Sequence, residues 1–314
     1  MRAIPLPSVE SVPVSSGGKS IIVVLGMHRS GTSAITRGLR VLGVELGERL
    51  LPSARSNEKG FFEDVDIYAI NIALYRSLKR PVRWHTPGSI PRSELLHEKN
   101  MPLRLQAIEL LRSRLATAEY FGIKDPRLCR TLPFWQRIFE HLQLNVSYVI
   151  TLRNPLSVAR SLGKRNNFHP EKCYHLWLDH VLPSVLLTQG APRVLVDYDL
   201  LLADPQKQIS RIATHLDLVA RLDSSRLIDF SQNFLDGRLR HTHFELEDIY
   251  HDPIVPPSVR TAATVLSDVA TDSLSLDSEY VAEVFEDLSR QMPRRFRFFS
   301  GQNFLPRFIR AARE

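Results

Sequence analysis

The sequence predicts an α/β protein: a central parallel sheet covered by helices in three layers, continued by a helical C-terminal extension. Two observations predict it. Short β-type runs, Ile21–Leu25, Tyr120–Ile123, Val146–Leu152 and Val194–Val196, alternate with longer stretches of helical character, the pattern of strands joined by helical crossovers. The chain has 314 residues, 43% of them apolar and 24% charged, which is enough apolar material for one large domain or two small ones and rules out disorder as the dominant state. The 41 Lys and Arg against 34 Asp and Glu leave a net charge of +7. That excess favours anionic partners without naming one.

Residues 1–20 are rich in Pro, Ser, Val and Gly, and they lack the basic start and apolar stretch of a secretory signal. They read as a flexible leader. The apolar run Ile21–Met27 opens the first strand and is far shorter than the roughly 20 residues that span a bilayer. After it, Ile35, Leu39 and Leu42 recur at helical spacing and Gly43 supplies a stop. Residues 51–93 carry Pro52, Gly60, Pro81, Pro87, Gly88 and Pro91 among aromatic and charged residues, and read as an irregular excursion over the active-site edge. Residues 100–118 and 155–190 look helical, as does the polar chain from about Glu245 onward, which ends in a basic aromatic tail. The expected organisation is thus a leader over 1–20, a main domain over 21–244 and a helical extension over 245–314 that packs on the same domain. Cys129 and Cys173 form neither a CxxC pair nor a disulfide ladder, so a reducing, cytoplasmic setting is the simpler reading.

The chemistry concentrates where the first strand gives way to the first helix, at Gly26-Met27-His28-Arg29-Ser30-Gly31-Thr32-Ser33. Backbone N–H groups in such a turn converge on one spot, and the helix start adds a positive field, so a phosphate binds there readily. A Walker A loop would continue Gly-Lys-Ser/Thr after its second glycine. Here Thr32 takes the lysine position and the cation is Arg29. The plain alternative is a structural glycine turn. A second element follows the third strand: Arg153-Asn154-Pro155, then Ser161 eight residues after the arginine, in a helix that Asn154 can cap and Pro155 can start. A forked guanidinium and a hydroxyl suit a phosphate monoester. Taken alone, the same residues could be a surface arginine and a helix serine.

The Arg29-Ser30-Gly31-Thr32-Ser33 string resembles the 5′-phosphosulfate loop of sulfotransferases that use 3′-phosphoadenosine 5′-phosphosulfate (PAPS), especially the carbohydrate and tyrosylprotein types. Arg153 and Ser161 resemble the pair that holds the 3′-phosphate of PAPS in that family. Lys124-Asp125-Pro126-Arg127 looks like the family's lysine-bearing strand end, whose lysine contacts the sulfuryl group in flight. Tyr198 to Pro205 resembles its tyrosine-acid-leucine segment, while Asn57 to Glu63 and Leu176 to Leu178 look like elements of bacterial members. The resemblance runs from Ile21 to Leu218. It implies a P-loop-containing three-layer fold, PAPS as sulfate donor, no metal, and cofactor contacts from His28, Arg29, Ser30, Gly31, Thr32, Ser33, Arg153 and Ser161. Arg240, in a basic stretch after Gly237, matches the late basic residues that family members bring to the 3′-phosphate.

Sulfuryl transfer needs an acceptor hydroxyl in line with sulfur, a base for its proton, and cations where charge develops. The resemblance gives Arg29 and Lys124 the last role. The base stays open. The histidine that small-molecule sulfotransferases carry two residues after this lysine is Pro126 here. Glycan and tyrosylprotein types use a glutamate after the first helix, which points to Glu63 or Glu58, with Asp125 or His85 as further candidates. The implied acceptor is a sugar of a bacterial glycolipid or surface polysaccharide, with a tyrosyl peptide or small metabolite as the alternative.

Rival readings have their own residues. Val194 to Asp197 could pass for the acid-terminated strand that holds Mg²⁺ in a P-loop kinase, but the lysine after Gly31 is missing. A non-enzymatic binding module would have lost Arg29 or Lys124, and both are present. His169, Glu171, Cys173 and His175 cluster without any HExxH or paired CxxC spacing, and read as a solvated helix start rather than a metal site. The basic runs at 76–83 and 294–313 read as solvated faces, or, for the tail, as a contact with an anionic membrane. No nucleic-acid reader module is present.

Overall fold

A computed structural model describes residues 18–54, 57–80, 82–236 and 242–292. Four strands, β1 (Ser20–Leu25), β2 (Tyr120–Lys124), β3 (Asn145–Leu152) and β4 (Arg193–Asp197), form one parallel sheet in the order β2-β1-β3-β4. The register pairs Val24 of β1 with Lys124 on one side and Val149 on the other. The loops that leave β1, β2 and β3 therefore emerge side by side at one sheet edge, where open α/β sheets bind their ligands.

Helices connect the strands. In chain order they are α1 (Thr32–Gly38), α2 (Val65–Ser77), α3 (Arg92–Leu95), α4 (Met101–Thr117), α5 (Leu128–His141), α6 (Pro155–Asn166), α7 (Pro170–Leu186), α8 (Tyr198–Ala203), α9 (Pro205–His215), α10 (Ser224–Asp229), α11 (Asp248–His251), α12 (Pro257–Ala270) and α13 (Glu279–Gln291). Alternation along the strands sorts the core into layers. Ile21, Val23 and Leu25 of β1 face α2, α4 and α5. Ile22 and Val24 face the opposite layer with Ile35 of α1, Ile209 and Ile212 of α9 and Phe230. Ile150, Leu152 and Leu195 extend the first face onto α6, α7, α12 and α13. Of the helices after residue 245, α11 packs on α6, α12 on β4, and α13 on α7 and α12, burying Val259, Leu266 and Phe285.

The strands lie where the apolar runs placed them, and three differences are informative. Residues 51–93 hold a regular helix, α2, whose cap Asp64 accepts from the N–H groups of Asp66 and Ile67; prolines and glycines on both sides hid it. The expected helix over 155–190 is two helices, because Asn167 takes a left-handed φ of 55° and Pro170 starts α7. Leu39–Leu42 tighten into a 3₁₀ turn that Gly43 ends at φ 70°. Among the described residues no helix is long and apolar enough to cross a membrane. The leader up to residue 17, Arg240 and the tail from residue 293 lie outside the described residues.

Candidate active site

The loop after β1 is built on two demanding positions. Gly31 has φ 83°, and a Cβ there would sit 2.0 Å from the ring of Tyr198, so only glycine admits both the left-handed turn and that aromatic neighbour. Arg29 also adopts a left-handed φ of 72°, uncommon for a side chain of its size. Its strain is held by contacts on both ends: its carbonyl accepts from Arg153 Nη1 at 2.9 Å, and its Nε donates to Ser161 Oγ at 2.8 Å. The Cys129 thiol, fully buried and pushed up to about 11 by that burial, accepts from Gly26 N–H at 3.1 Å and pins the start of the loop.

Three cations reach this loop from three neighbouring strand ends. Arg29 follows β1, Lys124 ends β2, and Arg153 follows β3. All three line one cleft, together with His28, Gly31, Thr32 and Ser33 of the loop and Glu58 and Glu63 of the segment beyond α1. Ser30 is buried beneath the loop, where its N–H donates to Met27 O. Arg153 lies over the Tyr198 ring, 4.9 Å from its centroid, and its Nη2 donates to Thr242 O. Asn154 caps α6 through Leu156 N–H, and Pro155 takes the first helical position, as their order in the sequence predicts. Ser161 is engaged by Arg29 rather than by Arg153, so the two side chains expected to form one clamp are linked through the loop arginine.

Lys124 is buried and its ammonium has three partners: Glu63 Oε1 at 2.7 Å, Phe61 O at 2.9 Å and Ser33 Oγ at 3.3 Å. Asn57 Nδ2 donates to the same Ser33 hydroxyl at 2.9 Å. Burial raises the Glu63 carboxyl above its ordinary value, opposed by the adjacent ammonium. The four groups that could take a proton are therefore unequal in setting. Glu63 stands in the cleft floor against Lys124, while Glu58 is exposed at the rim. Asp125 is fully buried with one oxygen on Arg127 and the other on Asn71, which in turn accepts from Thr131 and Trp135. That carboxylate shapes the turn, and Asp125 is not among the residues that line the cleft. His85 sits apart, in a ring cluster with Trp84 and Phe168.

Reading the sequence missed other cleft residues. Tyr198, Leu202, Phe234 and Leu235 form an apolar wall, and Lys59 closes against it by donating to Phe234 O and lying 5.3 Å from that ring. Arg165, one helical turn after Ser161, lines the cleft as well. Its spacing of four from Ser161 is a signal that could have found it. Asp197 does not line the cleft; it caps α8 by accepting from Asp199 and Leu200. Cys173 faces the core with Leu176 and Trp177, and among the described residues no group of three or more His, Cys, Asp or Glu is placed to hold a metal.

The chain is similar to two solved sulfotransferase domains. One is the sulfotransferase domain from the Synechococcus PCC 7002 olefin synthase, with 17% identity and a TM-score of 0.39 over 91% of this chain and 100% of that domain. The other is the sulfotransferase domain from the curacin biosynthetic pathway, with 16% identity and a TM-score of 0.42 over 88% of this chain and 99% of that domain. No family model matches the chain, and no curated protein does.

Proposed function

We propose that this chain transfers the sulfuryl group of PAPS to a hydroxyl. The observation that carries the reading is the meeting of Arg29, Lys124 and Arg153, from three adjacent strand ends, around a glycine loop that lacks the Walker lysine. The motifs quoted above add the family resemblance. The cleft suits such a donor: several cations match its phosphates and sulfate, and the aromatic rings of Tyr198 and Phe234 in its lining suit the edge of a planar base.

PAPS supplies an activated sulfuryl group with an adenosine bisphosphate as leaving group. In this reading the loop 26–33, Arg153 and Ser161 hold the donor, and Arg240 joins them at the 3′-phosphate. Arg29 and Lys124 stabilise the charge that grows on the leaving oxygen and on the sulfuryl oxygens. Glu63 takes the acceptor's proton. Its contact with Lys124 supports that role, because the ammonium favours the ionised form of a buried carboxylate and orients it. Glu58 is the second candidate. The acceptor we favour is a sugar of a bacterial glycolipid or surface polysaccharide, and the two free, buried thiols suit a reducing, cytoplasmic setting.

A kinase reading finds less support. Asp197 is committed to capping a helix and is pushed up to about 6 by burial, a poor Mg²⁺ ligand. Incubating the protein with labelled PAPS and fractionated glycans, peptides and metabolites tests the proposal. Label should move to a hydroxyl-bearing fraction, and ATP with Mg²⁺ should give no transfer. Arg153→Ala should weaken PAPS binding about 10- to 100-fold, the worth of one charge-assisted hydrogen-bond group; unchanged binding would remove Arg153 from the donor site.

A further inference from the structure

The cleft holds a further cation that the donor reading does not use. Arg165 projects from α6 into the cleft. Its guanidinium lies 5.2 Å from the centroid of Trp84, and its Nε donates to Asn166 Oδ1 at 2.6 Å. It has no carboxylate partner among the described residues. Burial and the nearby charge of Arg29 bring it down to about 10, so it stays a cation at neutral pH.

The surface behind Arg165 is built rather than accidental. Trp84 packs on His28 of the glycine loop at 4.2 Å between ring centroids, and on Phe168 at 5.8 Å. The segment carrying Trp84 and His85 is fixed from below by two buried charges. Arg130 donates to the carbonyls of Trp84 and Gly88, and Asp179 accepts from Gly88 N–H at 2.6 Å. Outward from Trp84, Lys172 lies 4.0 Å from the Phe168 ring centroid, and Phe168 contacts His85. Burial, then Lys172 and Arg83, hold the His85 imidazole below its usual range. Lys172 and Arg83, like Arg165, have no carboxylate partner among the described residues. Two further cations, Lys172 and Arg83, therefore lie near the aromatic cluster that seats Arg165.

We infer that this aromatic cluster receives the acceptor, that the acceptor is an acidic polysaccharide, and that Arg165 grips a carboxylate on the sugar presented to Glu63. This rests on the sulfuryl-transfer reading. The loop, Lys124 and Arg153 match the donor's charges and Tyr198 its base, which leaves the Arg165 guanidinium for the second substrate. A guanidinium seated over an indole keeps edge donors that can meet a carboxylate in forked fashion. Further cations at Lys172 and Arg83 suit charges repeated along a chain, where a small metabolite would reach only the first. A polymer of uronic acids supplies the hydroxyl and the repeated carboxylates together.

The test uses the full chain saturated with adenosine 3′,5′-bisphosphate, the product of the donor, whose binding is measured first. Trp84 is the sensor, since Trp135 and Trp177 are buried to 0% and 1% exposure. Trigalacturonate and its methyl ester, which share a backbone and differ in charge, are titrated against tryptophan emission, and an acidic tyrosyl peptide forms a third arm. Trigalacturonate should bind about tenfold or more tighter than the ester, in keeping with one charge-assisted contact. Arg165→Ala should bring the acid to the level of the ester, and Arg165→Lys should restore only part, while affinity for the bisphosphate stays within about twofold. Equal binding of acid and ester, or no binding of either, overturns the proposal. So does tighter, Arg165-dependent binding of the peptide, and so does loss of bisphosphate affinity in Arg165→Ala, which would put Arg165 in the donor site. Failure of the wild-type protein to bind the bisphosphate would instead overturn the sulfuryl-transfer reading itself.

Discussion

Lys124 and Glu63 are 2.7 Å apart in a buried floor, and what each does depends on the other. Burial raises the Glu63 carboxyl above its ordinary value, and the ammonium opposes that rise; in the proposed reaction the ionised form is the base. Glu63→Gln keeps the shape and a hydrogen-bond acceptor for Lys124 while removing the basic oxygen. We expect it to spare PAPS binding and lower turnover by about 10²-fold or more; retained turnover would move the base to Glu58. In the wild type, turnover should fall as pH drops through the raised Glu63 value, because protonation removes the base. The midpoint of that limb should lie above the usual carboxylate value of about 4.3, and a pH profile of kcat reads it.

At the scale of the element, the glycine loop and the 82–90 segment carry the site, and each has a distinct test. Gly31→Ala meets both a left-handed φ and the Tyr198 ring, so it should cost on the order of 1–3 kcal/mol in denaturant unfolding and abolish the thermal shift given by adenosine 3′,5′-bisphosphate. Gly43 has a similar φ of 70°, but its added Cβ would meet nothing closer than 3.7 Å. Gly43→Ala should therefore cost about 1 kcal/mol and keep the shift. Under the 82–90 segment, Asp179 is pushed up to about 6 by burial, against an ordinary 3.8. Between those values the folded protein binds more protons than the unfolded chain, so this group makes stability fall as pH rises from about 4 to 6. The penalty is then constant above pH 6. Asp179→Asn keeps an acceptor for Gly88 N–H and removes the charge, so it should flatten that part of the stability–pH curve. An unchanged curve would mean that Asp179 does not titrate there.

For the whole molecule, the sheet order β2-β1-β3-β4 places the cleft, since it sets β1 between the strand that ends in Lys124 and the strand that Arg153 follows. Beside them α12 packs on β4, and α13 on α7 and α12, in one core with Ile150 and Leu195 of β3 and β4. Arg193, at the start of β4, ties this core through Asp277 and the carbonyl of Leu276. Phe285 of α13 is fully buried there, so Phe285→Ala should cost about 3–5 kcal/mol. Denaturant unfolding measures it, and a loss below about 1 kcal/mol would show the extension to be an appendage. The net charge of +7 also finds part of its place at this scale. Arg29, Lys124, Arg153 and Arg165 line the cleft, and Lys172 and Arg83 lie near the aromatic cluster of Trp84, His85 and Phe168.

The sequence by itself determined the strands, because runs such as Ile21–Leu25 and Val146–Leu152 have few alternatives to burial in a parallel sheet. It also determined the glycine loop, the Asn154 cap and the Pro155 helix start, all of which are local rules of backbone geometry. Tertiary structure decided the rest. The partnership of Glu63 with Lys124 spans 61 residues, and that of Arg29 with Ser161 spans 132. The fixing of Asp125 by Asn71 and the seating of Arg165 on Trp84 are likewise contacts between distant segments. Local periodicity carries no information about such meetings. They follow from the order in which four strands pair, and that order is set by how three buried layers pack.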